Sequence, residues 1–367
     1  MKILTVVGAR PQFVKAATVS RVIQKHNNLN PDNLIEEKIV HTGQHYDSNM
    51  SDIFFEEMKI PKPAFTLGIG GTAHGAMTGR QLEKIEDILI IEQPHAVLVY
   101  GDTNSTLAGA LAAVKLNIPV VHVEAGLRSF NLKMPEEINR ILTDQISSIL
   151  FCPTETAVKN LHAEALNQRS CTIHNVGDVM YDAAMLYAQN SVQPTQLTKV
   201  PNQFALLTIH RAENTNNLSR LKSIVEALNE ISKDLPVLCP LHPRTVKVIK
   251  ENGLELKARI LEPVGYFEMI WLLKNCSVVL TDSGGLQKEA YFFKKPCITL
   301  RDQTEWVELV DAKANVLVGS DKKAIISAVR SFDYSQIDFS GKLYGDADAS
   351  YKIVEQILFH KDELLSA

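Results

Sequence analysis

The chain has 367 residues, a length that at about 150 residues per domain suggests two domains. Hydrophobic residues make up 45% and charged residues 22%, which excludes a disordered or collagen-like chain. The net charge of −4 gives no global field to attract nucleic acid. The longest apolar stretches, such as Ala96–Tyr100 and Ile118–Val123, fall far short of the roughly 20 residues that span a bilayer. Met1–Gly8 carries one charge and a short apolar run with no cleavage site after it, so no signal peptide is expected. Cys152, Cys171, Cys239, Cys276 and Cys297 lie far apart with no CxxC pair, and several sit in apolar runs as small buried thiols. A cytoplasmic, soluble, metal-free protein is expected.

Taken in chain order, apolar runs of about five to eight residues fall into two series. The first is Lys2–Gly8, Lys38–Thr42, His95–Asp102, Ile118–Glu124 and Ile149–Pro153. The second is Phe204–His210, Pro236–His242, Arg259–Pro263, Ser277–Asp282, Pro296–Arg301 and Ala314–Gly319. Rich in Val, Ile and Leu and mostly continuous, they predict parallel strands buried on both faces. Helical periodicity separates them at Gln12–Lys25, Met77–Glu92, Thr103–Lys115, Pro135–Ser148, Leu218–Ser232 and Leu286–Phe293. Such alternation predicts an α/β protein of two doubly wound, Rossmann-like parallel sheets. The join is expected near Val176–Ala184, giving domains 1–176 and 177–348, with a closing helix over 349–367 that could return to the first domain.

Ligands of such sheets bind outside the carboxyl ends of the strands, and here those ends are polar. Thr281-Asp282-Ser283-Gly284-Gly285 follows a strand and opens a helix. Ser283 suits an N-cap and the two glycines allow an anion close to the helix start, although an ordinary capped turn also fits. Glu289 lies near enough to that start to accept hydrogen bonds from a ribose. Gly8-Ala9-Arg10-Pro11 is a second such turn, with Arg10 and Lys15 either facing a diphosphate or simply solvated. Asp102 and Glu124 end neighbouring strands, and Glu136 and Glu137 open a helix. Carboxylates gathered there raise one another's pKa, which suits proton transfer, while acidic residues in a first helical turn also have a structural reading. His210-Arg211 and His242-Pro243-Arg244 end adjacent strands and favour a polyanionic ligand held in a cleft between the domains. No zinc spacing, P-loop or dinucleotide fingerprint is present.

In this order the motifs resemble the non-hydrolysing UDP-N-acetylglucosamine 2-epimerase family over nearly the whole chain. The resemblance is carried by Gly8-Ala9-Arg10-Pro11 with Lys15, Tyr100-Gly101-Asp102-Thr103, His122-Val123-Glu124-Ala125-Gly126-Leu127-Arg128 and Pro135-Glu136-Glu137-Ile138-Asn139-Arg140. It continues through His210-Arg211-Ala212-Glu213-Asn214, Thr281-Asp282-Ser283-Gly284-Gly285 and Arg301-Asp302-Gln303-Thr304-Glu305. It implies a GT-B-like fold and a homodimer. It also implies UDP bound by Arg10, Lys15, His210, Arg211, Ser283, Gly284, Gly285 and Glu289, with uracil against the segment holding Val264 and Met269. Asp102, Glu124 and Glu136 would face the sugar. Some members carry a regulatory nucleotide-sugar site, and Gln44-His45 lies in the matching region. Two departures, Gln12 for a family glutamate and Trp306 for a ligand-contacting arginine, look like the branch acting on UDP-2,3-diacetamido-2,3-dideoxyglucuronate, with UDP-N-acetylglucosamine as the alternative substrate.

The chemistry implied is inversion at C2 of a UDP-activated 2-acetamido sugar by elimination and return of UDP. Asp102, Glu124 and Glu136 would share the proton transfers and His210 would assist departure of the diphosphate, with no cofactor required. A GT-B glycosyltransferase is the rival enzyme, but it has little need of a second acid at C2. A two-domain sugar-binding protein has no use for the clustered carboxylates.

Overall fold

The computed structural model describes residues 1–44, 61–331 and 336–366. Contacts divide the chain into two units, Met1–Ala183 with Lys342–Ala367, and Ala184–Gly341.

Unit 1 holds strands β1 (Lys2–Val7), β2 (Glu36–His41), β3 (Phe65–Thr66), β4 (Ala96–Tyr100), β5 (Val120–Val123), β6 (Ile149–Cys152) and β7 (Thr172–Asn175). They form a parallel seven-stranded sheet in the order β3-β2-β1-β4-β5-β6-β7. Unit 2 holds β8 (Ala205–Thr208), β9 (Val237–Pro240), β10 (Arg259–Leu261), β11 (Val278–Thr281), β12 (Cys297–Thr299) and β13 (Asn315–Leu317). Its six strands are also parallel, in the order β10-β9-β8-β11-β12-β13. Each chain segment starts mid-sheet, winds to one edge, then crosses back and winds to the other. The predicted pair of doubly wound α/β sheets is therefore what forms, with topological switch points between β1 and β4 and between β8 and β11.

The core explains the pattern. Every residue of β4 is completely buried, as are Ile3, Leu4 and Val6 of β1. Such strands lie between helices on both faces and have no polar side to show. Helix Asn104–Lys115 is alanine-rich where it meets the sheet, and a Cβ on Gly109 would lie 3.2 Å from the Val6 side chain. Small residues let this helix approach closely. In unit 2 a corresponding core gathers Leu207, Ile224, Leu228, Leu280, Ile298 and Leu300.

Two strands lie outside both predicted series. β3 has only two residues, and β7, Thr172-Ile173-His174-Asn175, is polar and partly exposed. The closing segment forms helices Ala349–Phe359 and Lys361–Ser366 within unit 1. Against the first of them, Lys25 Nζ lies 3.1 Å from the Tyr351 hydroxyl and 5.1 Å from its ring centre. The five cysteines are free, and burial pushes the Cys276 and Cys297 thiols up to about 12. Among the described residues no helix is long and apolar enough to cross a membrane.

Candidate active site

In unit 1 the polar strand ends gather at the β1–β4 switch point. A cavity of about 200 Å³ there is lined by Lys15, Gln44, His74, Asp102, Glu136 and Asn139, among others. Lys15 is 7% exposed and its ammonium forms an ion pair with Glu124. Glu124 itself has φ +74°, the left-handed region that costs a non-glycine residue about 1–3 kcal/mol and marks functional positions. Its amide and that of Ala125 both donate to the Phe151 carbonyl, at 3.0 Å each. Gly101 has φ +62°, and a Cβ on it would stand 3.1 Å from Glu124 Oε2. Glycine lets this backbone run beside the carboxylate.

Asp102 forms an ion pair with Arg140, whose other terminal nitrogen donates to Glu137 Oε2 at 2.9 Å. Asn139 holds the same turn by donating to the Asp102 carbonyl at 3.0 Å. Arg140 and Asn139 belong to helix Pro135–Ile146, which reverses the usual amphipathic arrangement. Its buried face carries Glu137, Asn139, Arg140, Thr143 and Asp144, while Ile138 and Leu142 are 45% and 44% exposed. Glu136 is exposed and lines the cavity. Glu137 is instead fully buried. Burial pushes its carboxyl up, but hydrogen bonds from Ser129 and Phe130 and the Arg140 charge outweigh that and hold it below the ordinary range. The structural reading of Glu137 is the one its contacts support.

In unit 2 the switch point between β8 and β11 brings His210 to Asp282. The His210 side chain is 55% exposed, with Nδ1 at 3.1 Å from Asp282 Oδ1. Asp282 is fully buried and also accepts from the amides of His210 and Arg211 and from Asn214 Nδ2. Burial raises its pKa, but the His210 contact and these donors bring it below the ordinary carboxylate range. The pair orients the imidazole through Nδ1.

Ser283 caps helix Gly284–Phe292, its Oγ accepting from the Leu286 amide at 3.4 Å. A Cβ on Gly284 would fall 2.4 Å from Glu305 Oε1 and 3.8 Å from Arg211 Nη2, so the glycine admits these side chains to the helix start. The equivalent space beside Gly285 is open. Glu305 is held by Arg301 at 2.9 Å. Glu289 is partly buried one turn along.

Val264 and Met269 are partly buried against the unit 2 core, around a turn where the Gly265 amide donates to Glu268 Oε2 at 2.9 Å. Trp306 is 4% exposed, with Lys288 Nζ 4.2 Å from its ring centre. Arg10 starts helix Arg10–Leu29 and is partly exposed. Asp102, Lys15, Glu124 and Glu136 thus share one end of the unit 1 sheet. His210, Arg211, Ser283, Gly284, Gly285 and Glu289 share one end of the unit 2 sheet. His242, by contrast, caps its own helix, accepting from the Arg244 amide at 3.2 Å. Gln44 accepts from Ser105 Oγ at 2.8 Å, and His45 lies outside the described residues. Arg140, Asn139 and Asp282 sit within the sequence motifs, yet nothing local to those motifs singles them out as site residues. Among the described residues no group of three or more His, Cys, Asp or Glu is placed to hold a metal ion.

Residues 27–358 match the family model described as UDP-N-acetylglucosamine 2-epimerase. The UDP-2,3-diacetamido-2,3-dideoxy-D-glucuronate 2-epimerase of Pseudomonas aeruginosa is 57% identical, over 97% of this chain and 99% of that protein. The UDP-N-acetylglucosamine 2-epimerase of Methanocaldococcus jannaschii, solved in complex with UDP-GlcNAc and UDP, is 43% identical with a TM-score of 0.85, covering 98% of this chain and 100% of that one. The Neisseria meningitidis UDP-GlcNAc 2-epimerase bound to UDP-GlcNAc superposes with the same TM-score at 33% identity, over 98% and 100% of the two chains. The chain therefore belongs to the UDP-N-acetylglucosamine 2-epimerase family and is an isomerase of the UDP-sugar 2-epimerase type.

Proposed function

We propose that this enzyme converts UDP-2,3-diacetamido-2,3-dideoxyglucuronate to its manno epimer, supplying a precursor of bacterial surface polysaccharide. The observation that carries the substrate choice is the 57% identity, over nearly the full length of both chains, to the Pseudomonas enzyme of that name. Gln12 and Trp306, both departures from the commoner family pattern, support the same branch. The competing substrate is UDP-N-acetylglucosamine, favoured by the relatives of that name at 42–43% identity.

In this reading UDP leaves by elimination across C1 and C2. One carboxylate of Asp102, Glu124 and Glu136 takes the C2 proton, and an acid of the same set returns a proton to the opposite face of the 2-acetamidoglycal. UDP then adds back at C1. Lys15 pairs with Glu124, and Arg140 pairs with Asp102. The departing diphosphate meets Arg211, His210 and the backbone at Ser283-Gly284-Gly285, a helix start suited to anions. Glu289 receives the ribose, and Val264 and Met269 flank the uracil. Trp306 stands in place of a ligand-contacting arginine of the commoner family pattern, a departure that fits this branch. No nicotinamide or metal enters the scheme.

A charged nucleotide sugar does not cross a bilayer unaided, so the activity belongs in the cytoplasm, where five free thiols also fit. Exposed Ile138 and Leu142, with Phe130 and Leu132 nearby in the chain at 79% and 68% exposure, support a homodimer. Light scattering should then give twice the 40.8 kDa chain mass.

Proton NMR in D2O with each candidate sugar nucleotide tests the proposal. Deuterium at C2 with a manno product from the diacetamidoglucuronate is expected. Exchange in UDP-N-acetylglucosamine alone would overturn the substrate, and exchange in neither would overturn the reaction.

A further inference from the structure

Beneath the unit 1 site lies a buried pair that the chemistry above does not use. His122 on β5 is fully buried, with Nδ1 2.7 Å from Asp144 Oδ1 and Nε2 2.8 Å from the Gly101 carbonyl oxygen. The other oxygen of Asp144 accepts from the Gly126 amide at 3.1 Å and from Arg128 Nη1 at 2.7 Å. Arg128 is in turn clasped by Glu164, through Nε at 2.6 Å and Nη2 at 2.8 Å.

The two backbone groups that this pair holds belong to the two turns that matter. Gly101 immediately precedes Asp102. Gly126 follows Glu124 by two residues. Both glycines and Glu124 have positive φ, +62°, +80° and +74°. A Cβ at Gly126 would fall 2.4 Å from the Ala157 carbonyl oxygen, so that turn is closely fitted from its far side as well. One continuous chain runs from the Gly101 carbonyl through His122 and Asp144 to the Gly126 amide.

We infer that His122 and Asp144 are positioning residues, which set the separation of Asp102 and Glu124 by tying their two turns to one buried pair. The inference rests on the proposed acid–base roles of those carboxylates. Neither His122 nor Asp144 lines the cavity, so each acts through the backbone. Misplacing a proton-transfer group by about 1 Å costs on the order of 100-fold in rate without weakening the grip on remote parts of the substrate.

The test is Asp144→Asn, which keeps shape but leaves one acceptor oxygen where there were two, alongside His122→Gln as a second variant. C2 deuterium exchange, kcat, KM and UDP affinity are measured with wild type in parallel, and thermal melting verifies folding. Turnover is expected to drop by a factor of about 30 or more, with KM and UDP affinity both within about threefold of wild type. A folded variant that turns over as fast as wild type, or a loss expressed wholly in KM, would overturn the inference. A wild-type enzyme that exchanges neither substrate would sink the proposed reaction instead. In that event a crystal structure of Asp144→Asn still decides the positioning. Displaced Gly101 and Glu124 turns are expected, and turns identical to wild type would refute it.

Discussion

Gln12 shows an amide doing what a carboxylate cannot. Its Oε1 accepts from the amides of Gly8 and Ala9 at 2.8 and 3.0 Å, while Nε2 donates to the Tyr100 carbonyl at 2.7 Å and Thr106 Oγ1 at 2.9 Å. One buried side chain closes the β1 turn and ties it to the end of β4. Gln12→Glu would set a charge against the Tyr100 carbonyl with no proton to offer it. It should cost about 2–3 kcal/mol in urea unfolding at pH 7, with the loss easing as acid protonates the new carboxyl. Glu137 has the opposite dependence. Its carboxylate accepts from the Ser129 amide and hydroxyl, the Phe130 amide and Arg140, and its folded pKa lies below the ordinary 4.5. A depressed carboxyl contributes stability that is complete above the unfolded value and is lost as pH falls through the folded one. Glu137→Gln, which removes one of the two carboxylates paired with Arg140, should cost about 3 kcal/mol at pH 7. Melting from pH 7 to 3 should show the gap to wild type constant down to about pH 5, then narrowing below pH 4.5.

At the scale of elements, the start of helix Gly284–Phe292 separates two glycines with different reasons. A Cβ at Gly284 would strike Glu305, whereas Gly285 faces open space. Gly284→Ala should therefore lower both melting temperature and UDP affinity. Gly285→Ala should leave melting unchanged or slightly raised, since alanine is the better helix former, yet weaken UDP at least about tenfold if the diphosphate rests there. Calorimetric titration beside thermal melting reads both, and wild-type UDP affinity in Gly285→Ala would remove the diphosphate from this turn. The turn is legible in the sequence because its glycines and serine are local, as are the strands, whose Val, Ile and Leu runs need no partner to be recognised. β7 is not, since a half-buried edge strand such as Thr172-Ile173-His174-Asn175 lacks that signature. The reach of Arg140 to Asp102 is hidden for a related reason. Helix Pro135–Ile146 shows its two faces in the sequence, but the rule that apolar faces turn inward points the wrong way here. Likewise Asp282 is visible in its motif, but its hold on His210, 72 positions away, exists only once β8 and β11 are neighbours.

For the whole molecule, the chain passes from unit 1 into unit 2 and then ends in unit 1, so the termini of unit 1 enclose unit 2 in sequence. What holds the returning segment is polar and specific. The Asp178 amide donates to the Tyr344 carbonyl at 3.0 Å, and the Asp182 carboxylate accepts from the Ala349 and Ser350 amides at 3.1 and 2.7 Å. Asp182 thereby serves the first amides of helix Ala349–Phe359 from a distant helix, a role its own N-cap, Asp348, does not fill with a side-chain bond. Ile353, Val354 and Ile357 then bury the helix face in unit 1. Burial of these side chains at roughly 1.5–3 kcal/mol each exceeds the contribution of the cap, so removing the cap should loosen the helix without releasing it. Asp182→Ala is expected to cost about 1–2 kcal/mol locally, because it leaves two helix-start amides without their acceptor. Hydrogen exchange of the amides in Ala349–Phe359 should accelerate about tenfold, while those of Gly284–Phe292 in unit 2 keep their wild-type rates. Equal acceleration in both helices would mean that the returning segment stabilises the entire chain as one cooperative body, and no acceleration in either would mean that the apolar face alone holds it.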